Sequence, residues 1–262
     1  MNKNTVNILF IADVVGKPGL NAVTKHINRV KEEYNIDFCI ANGENAAGGK
    51  GLTYDIALQY YSLGIDVITG GNHIFDKNKI YKYLDQDNKI LRPINYPKSV
   101  HGRGSYIGTI KDDLKIGVIN AQGRTFMYSI DCPFRITLEE VRRMSEITPI
   151  ILVDFHAEAT AEKVAMGWYL DGKVSAVVGT HTHVQTADDK ILENGTAYIT
   201  DVGMTGPVNS VIGLQKEVAI KRFLNQLPVR YQIADGEARF CGVVISIDVS
   251  TGKAIKIERL RY

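Results

Sequence analysis

The sequence predicts an α/β fold of two packed sheets flanked by helices, and three observations carry that expectation. Short apolar runs alternate with amphipathic segments through the first half of the chain, the pattern of successive βα units and parallel pairing. Hairpin patterns replace them later and close the chain. With 262 residues, 45% of them hydrophobic, the chain can bury a substantial core, so a single domain over residues 1–262 is expected.

The elements follow in order. NILFIA (7–12) reads as a buried strand, and Val23, Ile27, Val30 and Tyr34 recur at helical spacing after the Gly16-Lys17-Pro18-Gly19 turn. FCIAN (38–42), a glycine-rich loop and a helix near 54–63 repeat the unit, as do DVITG (66–70) and a helix near 77–84. Residues 106–110 and 114–120 read as a hairpin around a two-residue Asp112-Asp113 turn. Thr137, with Glu140 three residues on, reads as a helix N-cap ahead of the strand ITPIILVDF (147–155). SAVVG (175–179) and AYIT (197–200) are further strands, and residues 240–249 and 254–260 form a closing hairpin. No internal repeat or low-complexity tract interrupts this order.

Charge excludes some functions. Lys plus Arg total 31 against 29 Asp plus Glu, leaving no strong field to attract a nucleic acid or membrane. One lysine and a short apolar run ending at Asp13 make no secretory signal, and no apolar stretch nears the roughly 20 residues of a bilayer span. A soluble, cytoplasmic protein with no membrane partner is expected. Cys39, Cys132 and Cys241 lack C-x-x-C spacing and read as reduced, buried thiols. His26 and His101 read as structural, and Trp168 and Tyr169 as core aromatics.

The chemistry collects where apolar runs end. Asp13, Glu44-Asn45, Asn72-His73, His156 and His181-Thr182-His183 each follow such a run, and parallel strands of open α/β sheets present their C-terminal ends at the ligand-binding rim. Singly, each has another reading: Asp13 suits a turn or helix cap, and the glycine-rich 43–49 loop suits a phosphate nest or a solvated turn. Together they form an O/N donor set suited to divalent first-row metals, the mark of a metallohydrolase. One Zn²⁺ site takes about three protein ligands plus water, and this set is larger. Two ions held roughly 3.5–4 Å apart fit better, with Glu44 as the bridging carboxylate.

The segments D-V-V-G (13–16), G-E-N-A-A-G-G (43–49), G-N-H (71–73), D-F-H-A-E (154–158), G-T-H-T-H-V (179–184) and D-V-G-M-T-G-P (201–207) resemble, in order and spacing, the YmdB branch of the calcineurin-like metallophosphoesterases. The wider superfamily has D-x-H and G-D-x-x-D; here Val15 replaces the histidine and Glu44-Asn45 the aspartate, as in that branch. The resemblance implies a four-layer αββα sandwich of two mixed sheets. It also implies one metal on Asp13, Glu44, Asn45 and His183, a second on Glu44, Asn72, His156 and His181, and His73 as general acid. Iron or manganese are the implied metals. The implied reaction is attack of a metal-bridging hydroxide on small phosphodiesters such as 2′,3′-cyclic nucleotides, with RNA ends as a further substrate class and a homo-oligomer as the assembly.

Glu158 reads as an acceptor for a ligand histidine or as a surface carboxylate, Arg124 as an anion clamp and Thr205 as a phosphate contact. Two alternatives share the site: a phosphomonoesterase, and a metal- and nucleotide-binding regulator with slow turnover. A dinucleotide-binding fold is excluded, because the turn at 13–19 lacks G-x-G-x-x-G.

Overall fold

The computed structural model describes residues 4–111 and 113–262; Asp112 and Lys3, which enter the turn and leader readings above, lie outside them. β1 (Thr5–Ile11) and β2 (Asp13–Val14) lead into α1 (Gly16–Glu33), followed by β3 (Phe38–Asn42), α2 (Tyr54–Ser62), β4 (Val67–Thr69), a 3-10 turn and α3 (Tyr81–Gln86). Next come β5 (Ser105–Thr109), β6 (Lys115–Gln122), α4 (Pro133–Ser145), β7 (Ile151–His156), α5 (Thr160–Leu170), β8 (Ala176–Thr180), β9 (Lys190–Ile191) and β10 (Ala197–Ile199). β11 (Met204–Pro207), α6 (Lys216–Asn225), β12 (Ala238–Arg239), β13 (Cys241–Asp248) and β14 (Ala254–Arg261) complete the order.

One sheet runs β14-β13-β1-β3-β4, the other β5-β6-β7-β8-β10-β9, and a small sheet β12-β11-β2 lies at the rim. β1, β3 and β4 are parallel, as are β6, β7, β8 and β10, while the hairpin strands pair antiparallel.

Alternation along the strands builds the layers. Ile8 and Phe10 of β1, Ile40 of β3, Val118 of β6, Leu152 of β7, Val178 of β8 and Val243 of β13 share one core between the sheets. Leu9, Ile11 and Cys39 face the other way, against Val23 and Ile27 of α1 and Tyr60 of α2. Ile119, Val153 and Val177 likewise face Val141 of α4 and Met166 of α5. Both sheets are therefore covered on both faces, which is why their strands read as near-continuous apolar runs, and the order is the expected αββα sandwich.

Three local expectations change. α4 starts one turn before Thr137, at Pro133, because proline is pre-organised for the first helical position; Thr137 is buried inside the helix. The buried stripe of α5 is Lys163, Met166, Gly167 and Leu170, which leaves Trp168 on the flank, 48% exposed, beneath the Lys190 ammonium. Tyr169 is also partly exposed, edge-on to Phe134. Cys39 and Cys241 are buried free thiols, whereas Cys132, flanking α4, is only half-buried. No helix among the described residues is long and apolar enough to cross a membrane.

Candidate metal centre

Each donor sits within three residues of a strand end. Asp13 is fully buried in β2, which β11 pins through parallel pairing. After β3, the Asn42 side-chain oxygen accepts from the Glu44 amide at 3.1 Å and closes the turn that aims the carboxylate inward. After β4, Gly71 passes so close that a Cβ there would stand under 3.0 Å from Glu44 Oε2 and the His156 ring. His156 ends β7.

His181 and His183 follow β8 with φ of 101° and 66°, backbone that non-glycine residues rarely adopt and that needs surrounding support. A buried ion pair provides it. Asp201 Oδ2 accepts from Lys163 Nζ at 2.6 Å and from the amide and hydroxyl of Thr182 at 3.0 and 2.7 Å, fixing the residue between the two histidines.

Two groups of donors meet at Glu44. Around His156 Nε2 stand Glu44 Oε1 at 3.1 Å, Asn72 Oδ1 at 3.0 Å and His181 Nδ1 at 3.0 Å. Around Asn45 Nδ2 stand Glu44 Oε1 at 3.3 Å, His183 Nε2 at 3.3 Å and Asp13 Oδ1 at 3.4 Å. Among the described residues, Glu44, His156 and His181 have the spacing of a metal-binding cluster. Atoms bound about 2.1 Å from one cation lie about 3.0 Å apart at right angles and about 3.4 Å apart at tetrahedral angles. The spacings to His156 Nε2 and to Asn45 Nδ2 fall in that range, while His183 Nε2 and Asp13 Oδ1 stand wider, at 3.8 Å. One Nε2 proton cannot serve three acceptors at once, whereas a cation can, so the donor set fits a metal. A half-turn of the Asn45 amide puts its oxygen in the second group.

The remaining ring nitrogens are tied down, as metal-binding histidines require. His156 Nδ1 donates to Thr180 Oγ1 at 2.9 Å, and Thr180 donates to Asp154 Oδ1 at 2.7 Å. His181 Nε2 lies 3.0 Å from Glu158, and His183 Nδ1 donates to the Ile212 carbonyl at 3.0 Å. These partners leave His156 Nε2, His181 Nδ1 and His183 Nε2 as the lone pairs facing the cluster.

Electrostatics point the same way. Burial pushes Asp13 above the usual carboxylate range against the pull of His183 and His156. Burial also works upward on Glu44, but the charge and hydrogen bond of His156, together with His73, hold it at about 2. His156 is carried to about 9, since Glu44 and Asp13 outweigh burial, which works downward. His181, desolvated and beside His156, drops to about 3. Buried carboxylates here demand positive charge, and a divalent cation meets that demand.

The structure thus brings together Asp13, Glu44, Asn45, Asn72, His156, His181 and His183. His73 joins them through its amide, which donates to Glu44 Oε2 at 2.8 Å, while its Nδ1 pairs with Asp76 at 3.0 Å. Glu158 combines its two readings: it faces His181 and is also a half-exposed surface carboxylate. Two candidates separate from the cluster. Thr205 is buried, its hydroxyl exchanging hydrogen bonds with the Cys241 backbone, so it has no capacity left for phosphate. Arg124 is exposed on the loop after β6, where its amide donates to Glu162, and none of its hydrogen bonds reaches the metal donors. His26 stacks on Tyr262 and His101 pairs with Asp85, both outside the site. Sequence reasoning missed the roles of Asp76, Thr180 and Asp154. D-F-H and G-T-H strings with a strand-end His hold the only signal for the last two.

A family model described as YmdB-like protein matches residues 9–260. A 2′,3′-cyclic-nucleotide 2′-phosphodiesterase of Bacillus subtilis (strain 168) is 51% identical over 256 residues, 97% of this chain and 96% of that protein. The crystal structure of a hypothetical protein from Thermus thermophilus superposes with a TM-score of 0.92 at 39% identity, covering 98% of this chain and 99% of that one. A novel phosphatase of Mycoplasma pneumoniae gives 0.93 at 34% identity, covering 99% and 94%.

Proposed function

Because the chain belongs to the YmdB-like family, we propose that it is a metal-dependent phosphodiesterase that hydrolyses small phosphodiesters such as 2′,3′-cyclic nucleotides. The observation that carries this reading is the meeting of two O/N donor groups at the buried, shared carboxylate Glu44. The activity named for the B. subtilis relative, 51% identical, supports the substrate class.

Asp13, Glu44, Asn45 and His183 would hold one ion, and Glu44, Asn72, His156 and His181 a second; iron and manganese suit these donors. When bound, the ions cancel the negative charge of a phosphodiester and lower the pKa of water. The chain supplies the rest. Thr180 and Asp154 keep the His156 proton on Nδ1, and Glu158 keeps that of His181 on Nε2. Ester cleavage expels an alkoxide, a poor leaving group until protonated. His73 delivers that proton from Nε2 while Asp76 holds the ring through Nδ1, a contribution on the order of 10²–10⁴-fold.

The test is a side-by-side assay of metal-reconstituted protein on 2′,3′-cyclic AMP, 3′,5′-cyclic AMP and p-nitrophenyl phosphate. Highest kcat/KM on the 2′,3′-cyclic diester is expected. Preference for the monoester would replace this reading with a phosphomonoesterase, and no turnover on any of the three would leave the regulator.

A further inference from the structure

Beside His183 opens a cavity of about 450 Å³ whose lining includes Gln185, Ser210, Arg239, Cys241 and Arg261. Its two cations come from separate strands, Arg239 on β12 and Arg261 at the end of β14. Both act on the same point, since each counters the rise that burial gives the Cys241 thiol. No acidic residue lines this cavity. Neither guanidinium has an ion pair or hydrogen bond among the described residues, whereas nearby Arg259 is paired with Asp189. In the lining, Gln185 Nε2 stands 3.2–3.3 Å from the carbonyls of Val202, Gly242 and Leu260, among which its two protons are shared. A second cavity shares Arg239 and Val208 with the first and adds Lys25 and His26, with Glu237 as its acid. Positive charge therefore leads away from the metal centre on the His183 side.

Unpartnered arginines in a recess with no acidic lining suit a planar, bidentate oxyanion, and phosphate above all. The reacting phosphodiester occupies the metal centre itself, so a phosphate in this recess is another one. We propose that the Arg239–Arg261 cavity is a subsite for a second phosphate of the substrate, making a cyclic-phosphate-ended oligonucleotide a better substrate than a mononucleotide. This rests on the phosphodiesterase reading and names its substrate class.

The experiment compares adenosine 2′,3′-cyclic phosphate with the dinucleotide ApA ending in a 2′,3′-cyclic phosphate, using metal-loaded wild type, R239A, R261A and the double variant. Wild type is expected to favour the dinucleotide in kcat/KM by about ten-fold or more, the worth of charge-assisted hydrogen bonds, mainly through KM. The preference should fall toward one in the double variant. An equal preference in wild type and double variant, including equal proportional losses on both substrates, overturns the subsite. Equilibrium binding of ApA 3′-phosphate, followed by fluorescence competition against salt, gives a readout independent of turnover. The double variant should bind more weakly and with a shallower salt dependence. Binding that weakens in the variants while wild type hydrolyses neither diester sinks the phosphodiesterase reading and keeps the subsite. Hydrolysis with an unaltered preference does the reverse.

Discussion

Replacing Gly71 with alanine tests the site through a single methyl group. The new Cβ would lie under 3.0 Å from Glu44 Oε2 and from Nε2 and Cδ2 of His156, where ordinary contact begins at 3.4 Å. Carboxylate and ring must then withdraw by more than 0.4 Å, the difference between those limits, although both are fully buried. Overpacking of this kind costs about 1–3 kcal/mol of stability. The larger effect falls on function, because displacements approaching 1 Å at a reacting centre cost on the order of 10²-fold in rate. Gly236, at φ 100° with nothing within 4 Å of its Cβ position, supplies the control: alanine there strains the backbone and leaves the donors in place. Metal content by elemental analysis, kcat on 2′,3′-cyclic AMP and thermal midpoint are measured for both variants. Gly71→Ala should lose metal and, by the same rate argument, about 99% of turnover, and Gly236→Ala thermal stability alone. A Gly71→Ala protein with wild-type metal content and undiminished kcat refutes the packing argument.

His73→Ala should retain its metal and lose on the order of 10²–10⁴-fold in kcat; full turnover in a metal-loaded sample removes this side chain from proton transfer. Thr180→Val cuts the link from Asp154 to His156 and should weaken metal affinity by about 10–100-fold, read by competition with a chelating dye; an unchanged affinity refutes the positioning role. In chelator-stripped protein, His156 at about 9 stands above its ordinary 6.5, so the folded chain holds a proton that the unfolded chain has released. Its contribution is complete below pH 6.5 and lost as pH rises through 9. Thermal midpoints of stripped protein should fall across that window, and those of metal-loaded protein should not follow; a flat profile for the stripped protein contradicts the assigned charge on His156.

Much of the site was legible because buried parallel strands write a plain sequence pattern. Glu44-Asn45, Asn72, His156 and His181-x-His183 each directly follow an apolar run, so position along the chain was enough to send them to one rim. Asp154 and Thr180 were hidden for a related reason. They lie inside runs that are apolar on both faces, where alternation no longer marks a polar side chain's direction, and their pairing joins neighbouring strands. The role imagined for Thr205 failed because its competing partner, the Cys241 backbone, comes from 36 residues away. α4 was misplaced because Thr137 and Glu140 imitate a cap, while the real start is marked by Pro133 alone. Nor does any residue pattern announce that both histidines after β8 take left-handed backbone.

The placement of β1 between β3 and β13 carries a consequence for how the molecule is made. Thr5 lies opposite Asp248 and Ile11 opposite Gly242, so one flank of β1 stays open until a strand far along the chain has been made. Pairing so remote in sequence slows folding. Until it closes, the strand leading to Asp13 presents an unpaired edge, the kind of surface on which nascent chains associate wrongly. Maturation of the metal centre thus waits on the β13–β14 hairpin.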